Sequence, residues 1–262
     1  MRAIFRVKSL KRSEEQMKLP IQNPVLREVL KAIRYPVQKI LLRGVYRRIE
    51  QLEYRAFNRR YYAVEQVAEY LIGAQVPGDY CEFGVYQGTT FSHMYKMMAP
   101  HFQSMRFVAF DSFEGLPKPH GIDAKDGYSS HFYESQFSCS QEDFIRNLRR
   151  NRVDLSRVKT IKGWFNKTLT GEVAATHGVD RIAVAWIDCD LYESTVPVLE
   201  YLTGRISVGS VILFDDWRCF RNLPEFGQQR AVREWLGRTP GLALQELLSF
   251  GWNGIAFTVK EC

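Results

Sequence analysis

The sequence predicts an α/β fold: a Rossmann-like, doubly wound, mostly parallel sheet with one antiparallel edge strand, preceded by an N-terminal helical extension. Three observations predict it. From about residue 61 onward, short apolar β-rich runs alternate with helical stretches, the pattern of a parallel sheet covered on both faces. Two of those runs, Ile182–Ile187 and Ser210–Phe214, lead directly into acidic residues, Asp188-Cys189-Asp190 and Asp215-Asp216. The final runs, Ala243–Leu248 and Gly254–Val259, read as a closing hairpin-like pair that supplies the antiparallel strand.

Taken in order, residues 1–23 are polar and basic, bounded by Pro20 and Pro24, and read as a loose arm. From Val25 to about Phe57 apolar residues recur at helical spacing: Leu26, Val29, Leu30 and Ile33, then Val37, Ile40, Leu41 and Val45, with Pro36 splitting the pattern in two. Residues 1–57 are therefore expected to form one segment and 58–262 the main domain. A helix over about Tyr61–Gly73 passes through Pro77-Gly78 into a first strand, Asp79–Phe83. A helix over Thr90–Met98, a strand over Arg106–Phe110 and an irregular stretch to about Ser140 follow. Next come a helix over Gln141–Arg150, a strand over Val158–Ile161, a helix around Thr168–Thr176 and the strand ending at Ile187. A helix over Ser194–Thr203, with Ser194 or Thr195 as its N-cap, the strand ending at Phe214 and a helix over Gln229–Leu236 complete the alternation.

The composition, 45% hydrophobic and 13% aromatic over 262 residues, suits one large domain with an appendage and argues against disorder. No apolar stretch reaches the roughly 18 residues needed to span a bilayer. The start, Met1-Arg2-Ala3-Ile4-Phe5-Arg6, lacks the apolar core of a secretory signal. Five cysteines without C-x-x-C spacing read as free thiols in a reducing compartment, so the expected location is cytoplasmic. Cys189 reads as a small strand-end filler. Residues 1–60 carry 16 Lys and Arg against 5 Asp and Glu, more than the whole chain's net +7. The basicity thus belongs to the N-terminal segment and gives no reason to expect nucleic-acid binding by the domain. Lys39, Arg43, Arg47 and Arg48 beside an apolar stripe suit peripheral contact with an anionic membrane, or a helix packed on the domain or across a homodimer.

The two acidic runs sit where ligands bind an α/β sheet, beyond the carboxyl ends of its strands. Carboxylates gathered there repel one another unless a positive charge lies among them, and a hard divalent cation meets that need. Consecutive Asp215 and Asp216 would face opposite ways inside a strand, so both reach one ion only if the strand ends at Phe214. After the first strand, Gly84 and Gly88 allow a sharp turn that also contains Tyr86 and Thr89, and the next helix offers its amides to a ligand. The spacing is G-x-x-x-G, not the dinucleotide G-x-G-x-x-G. The acid Glu82 would repel a phosphate but suits an amine and a sulfonium, favouring S-adenosylmethionine over NAD. Asp111, followed by Ser112, stands at the tip of strand two, where ribose hydroxyls are held. Gly163-Trp164-Phe165 follows strand three, where an aromatic either covers an adenine or packs in the core. His120 and His131 lie in the irregular stretch, as a base or as surface residues, and Tyr192 is placed to line an acceptor pocket. No Asn-Pro-Pro-aromatic motif follows strand four, which counts against a nucleic-acid base as acceptor.

Five stretches, Glu82–Gly88, Asp111–Pro117, Lys162–Leu169, Asp188–Thr195 and Asp215–Trp217, together resemble the successive motifs of the macrocin O-methyltransferase family. Those are class I S-adenosylmethionine-dependent enzymes, several of which methylate sugar hydroxyls on natural products using magnesium. The resemblance runs from about Tyr61 to Val259. Trp217 stands where the family usually has Tyr, the stretch Arg218–Gly227 looks expanded, and residues 1–55 have no clear counterpart. The resemblance implies Asp188, Asp215 and Asp216 as Mg2+ ligands, Glu82, Gly84, Asp111 and Ser112 around the cofactor, and Asp190 near the acceptor hydroxyl. Asp190 is then the first candidate for proton acceptor, beside Asp188. Tyr86, Gly88, Thr89, Gly163, Trp164 and Phe165 complete the expected cofactor set. The expected activity is magnesium-dependent methylation of a sugar or glycosylated small molecule. The alternatives are a lipid-linked or polymeric glycan docked by the basic arm, and a non-catalytic binding protein of the same fold.

Overall fold

The computed structural model describes residues 60–127 and 132–262. The expected arm and helices of residues 1–57, with the membrane and dimer contacts assigned to them, lie outside the described residues, as does His131. In chain order the described residues form α1 (Arg60–Ala74), β1 (Asp79–Phe83), α2 (Thr89–Met98) and β2 (Phe107–Asp111). A 3-10 turn (Gly121–Gly127), α3 (Gln141–Arg150), β3 (Val158–Lys162), the short helices α4 (Phe165–Thr168) and α5 (Gly171–Ala175), and β4 (Ile182–Ile187) come next. The chain closes with α6 (Tyr192–Leu202), β5 (Ile206–Phe214), α7 (Gly227–Arg238), β6 (Ala243–Phe250) and β7 (Gly254–Glu261).

Seven strands make one sheet in the order β3-β2-β1-β4-β5-β7-β6. The first five are parallel; β7 runs antiparallel to both β5 and β6, so the predicted antiparallel edge is a hairpin. β1 and β4 are buried along their whole length, as parallel strands covered on both faces must be. Alternate side chains serve opposite layers. Tyr80, Val184, Trp186, Val211 and Leu213 pack with α1, α2 and α3. Cys81, Phe83, Ala185, Ile187, Ile212 and Phe214 pack with α6 and α7.

The register positions the site. Phe83 pairs with Phe110 and Ile187, and Ile187 with Phe214. Four strands therefore stop at nearly one level, and Gly84, Asp111, Asp188 and Asp215 emerge side by side at the carboxyl edge. The chain departs from β1 toward β2 on one side and β4 on the other, the switch point at which such sheets bind ligands.

Two local expectations are corrected. The helix expected around Thr168–Thr176 is two short helices, because Gly171 has a φ of 54°, which breaks the helical run. α6 starts at Tyr192, so Ser194 and Thr195 lie inside its first turn and do not cap it. The amides of Tyr192 and Glu193 donate instead to the buried Asp123 carboxylate from the 3-10 turn, at 2.9 and 3.0 Å. Thr195 directs its hydroxyl to the Leu191 carbonyl at 2.7 Å. Among the described residues no helix is long and apolar enough to cross a membrane.

Candidate active site

Gly84 joins the two halves of the site. Its φ is 87°, and a β-carbon there would collide with the carbonyl of Asp188. Only glycine lets the turn after β1 lie directly against the loop after β4. Asp111 fixes that turn from the other side: Oδ2 accepts from the amides of Val85 at 2.7 Å and Tyr86 at 3.3 Å, and Oδ1 from Phe113 at 2.6 Å. Asp111 thus shapes the turn in addition to standing at the predicted strand tip. Glu82 lies within β1 rather than in the turn; its buried carboxylate accepts the Tyr80 hydroxyl.

β5 ends at Phe214, as the pairing of Asp215 with Asp216 required. Asp188, Asp215 and Asp216 each offer a carboxylate oxygen within 4.8 Å of the others. Asp216 is held by the amide of Asp190, which donates to Oδ2 at 3.0 Å. Asp190 is buried, with a φ of 59°, a left-handed conformation that aspartate tolerates better than most residues. Gln228 of α7, fully buried, accepts the Asp216 amide at 3.0 Å and donates to the Ile187 carbonyl at 3.2 Å. One side chain so ties the ends of β4 and β5 together.

Burial, followed by mutual repulsion, pushes Asp190, Asp215 and Asp216 well above the usual carboxylate range. Asp188 is raised by burial against the pull of Arg60, and Glu82 by burial and then Asp188 against its Tyr80 bond and Arg60. Arg60, the first residue of α1, contacts Asp188 Oδ2 at 3.3 Å and Asp215 Oδ2 more closely. Burial weakens its charge, but Asp188, Asp215 and Asp216 outweigh that and raise its pKa. Asp215 Oδ1 remains buried without a hydrogen-bond partner among the described residues. Three hard oxygen donors around one point, with a buried oxygen left unsatisfied, fit a divalent cation such as Mg2+.

The other expected residues lie on segments that follow the strands at this edge. Tyr86, with a φ of 43°, is exposed and meets Phe137 edge-on at 6.0 Å. Gly88 precedes α2 with a φ of 76°, and Thr89 begins that helix, exposed. Ser112 bonds Gly115 and Glu114 of its own loop. Gly163, with a φ of 140°, turns the chain into Trp164, the partly buried residue before α4. Phe165 packs edge-on against Phe83 at 6.1 Å. Tyr192 turns toward α7, its hydroxyl donating to Glu234 at 2.7 Å, and His120 is exposed. Cys189 is buried, as a filler would be.

Three residues around the centre escaped the sequence reading: Arg60, Asp123 and Gln228. Asp123 opens a polar turn in an otherwise irregular stretch, and no local signal marks its distant partner. Gln228 precedes a helical pattern, where a buried amide is indistinguishable from an exposed one. Arg60 follows Arg59 in a basic segment, where nothing local separates a buried guanidinium from an exposed one.

The family model described as Macrocin-O-methyltransferase (TylF) matches residues 56–238. Demethyldecarbamoylnovobiocin O-methyltransferase of Streptomyces niveus is 34% identical over 161 residues, covering 59% of this chain and 58% of that protein. The 8-demethyl-8-(2,3-dimethoxy-alpha-L-rhamnosyl)-tetracenomycin-C 4'-O-methyltransferase of Streptomyces olivaceus is 31% identical over 159 residues, again covering 59% of this chain and 58% of that protein. The chain therefore spans less than two thirds of the length of either relative. Among solved structures, the O-methyltransferase NovP has a TM-score of 0.62 at 27% identity, over 77% of this chain and 79% of NovP.

Proposed function

The chain belongs to the macrocin O-methyltransferase family, and from that premise we propose that it moves the methyl group of S-adenosylmethionine to a hydroxyl of a sugar or glycosylated small molecule, with Mg2+ as its metal. The observation that carries this reading is the convergence of Asp188, Asp215 and Asp216 beside Asp190, directly against the Gly84 turn.

Asp188, Asp215 and Asp216 are the residues to hold the metal, which when bound lowers the pKa of a coordinated hydroxyl. Asp190 accepts the hydroxyl proton; burial raises its own pKa well above the usual carboxylate range and so makes it the stronger base. The acceptor oxygen bonds to the methyl carbon as the carbon–sulfur bond breaks, and the electron pair stays on sulfur in S-adenosylhomocysteine. The Gly84–Thr89 turn, Glu82, Asp111, Ser112 and Gly163–Phe165 are assigned to the methyl donor. We read the acceptor as small because the name of the S. olivaceus relative specifies a rhamnosyl group. The charge of residues 1–60 supports a second reading, in which the same chemistry serves a lipid-linked or polymeric glycan. Free thiols at all five cysteines support a cytoplasmic location.

The test is a screen of hydroxylated sugars and glycosides with the purified chain, S-adenosylmethionine and Mg2+, read as S-adenosylhomocysteine release. One glycoside class should turn over, and activity should disappear in chelator. A protein that binds neither S-adenosylmethionine nor Mg2+ would be the non-catalytic alternative.

A further inference from the structure

We propose that Arg60 is the resident counter-cation of the acidic cluster and the direct competitor of the divalent cation, so that metal and guanidinium are alternative occupants of one site. The inference rests on the metal reading above and adds to it a residue that no motif contains. Arg60 reaches across from the start of α1 to two of the three converging carboxylates, Asp188 and Asp215. An ion bound by the trio would have to share those same groups with the guanidinium.

Charge decides which occupant suits the site better. Five acids, Glu82, Asp188, Asp190, Asp215 and Asp216, crowd this edge, and among the described residues one guanidinium, Arg60, supplies a single positive charge there. Among the described residues Asp215 Oδ1 stays unpartnered even with Arg60 in place. A divalent ion brings twice the charge and takes 6 or more oxygens for Ca2+, or an octahedron of them for Mg2+. Arginine does not deprotonate in proteins, so it yields the site only by moving. The fold permits that movement. The backbone of α1 is anchored by buried Ala63, Val64, Val67, Ala68 and Leu71, whereas the Arg60 side chain is 36% exposed. The helix stays while the side chain swings.

The experiment is Mn2+ titration into the full chain, followed by electron paramagnetic resonance of free Mn2+, for wild type, Arg60→Gln, Arg60→Lys and Asp215→Asn. Arg60→Gln should tighten Mn2+ binding by about tenfold, the equivalent of roughly 1.4 kcal/mol, while Arg60→Lys stays near wild type because it keeps the charge. Equal or weaker binding by Arg60→Gln overturns the inference but leaves the metal reading intact. No binding by any protein, or undiminished binding by Asp215→Asn, removes the metal reading and this inference with it. Should Arg60→Gln fail to fold, the wild type alone decides. On saturation with Mg2+, the Arg60 Nε–H resonance should shift to that of a solvated arginine; a resonance that stays in place contradicts the exchange.

Discussion

Single residues at this edge do separable work. Gly84 is where the turn after β1 presses on the Asp188 carbonyl. Gly84→Ala should cost about 1–3 kcal/mol from backbone strain alone, measured by urea denaturation, and should weaken Mn2+ binding by displacing Asp188. Asp190 makes a cleaner chemical test. Asparagine tolerates the same left-handed backbone, so Asp190→Asn keeps the amide that holds Asp216 and removes only proton acceptance. kcat should fall by about 10²–10⁴ with Mn2+ affinity changed little. A large loss of metal affinity in that variant would reassign Asp190 to the ligand set.

At the scale of elements, the site depends on bonds between segments far apart in the chain. Asp123 caps α6 from the 3-10 turn, and so ties the β2–α3 connection to the loop that carries Asp190. Asp123→Ala should cost about 0.5–2 kcal/mol and raise the acceptor KM more than that of S-adenosylmethionine; equal effects on both would reduce Asp123 to a structural cap. Gln228→Leu leaves the Asp216 amide unpaired, while the Ile187 carbonyl keeps its bond from the Asp215 amide, a loss of about 1–3 kcal/mol by thermal or urea melts. These ties also mark what could be read from sequence. The end of β5 at Phe214 was legible because two consecutive acids serve one ion only outside a strand. The start of α6 was not legible because Ser194 and Thr195 are good caps locally, and the carboxylate that does cap the helix lies about 70 residues away. Side-chain bonds at that separation leave no periodicity to detect.

For the whole molecule, the parallel run of β1 to β5 and the antiparallel hairpin followed from alternation and spacing, since burial on both faces imposes a pattern on the central strands β1 and β4. The electrostatic balance did not, because it depends on which charges the fold gathers. Glu82, Asp111, Asp188, Asp190, Asp215 and Asp216 all have carboxyl pKa values raised in the folded protein, burial being the largest cause for each. A raised acid holds its proton in the native state after the unfolded chain has released it. Its stabilisation is therefore complete below the ordinary carboxylate value near ~4 and is lost as pH rises through the folded value. The ligand-free protein should accordingly lose melting temperature from mildly acidic to neutral pH, and saturating Mg2+ should reverse that trend. Differential scanning fluorimetry across pH checks both; a ligand-free profile that rises toward neutral pH contradicts the balance described.

The central claim is that carboxylates from neighbouring strand ends converge to share a divalent cation. Its most direct measurement is anomalous diffraction from crystals of the full chain soaked in Mn2+. One peak should lie within coordination reach of Asp188, Asp215 and Asp216, with the Arg60 guanidinium withdrawn from Asp188 and Asp215. No peak there, with Arg60 still clamped on Asp188 and Asp215 in a protein that methylates its acceptor in chelator, would contradict the account.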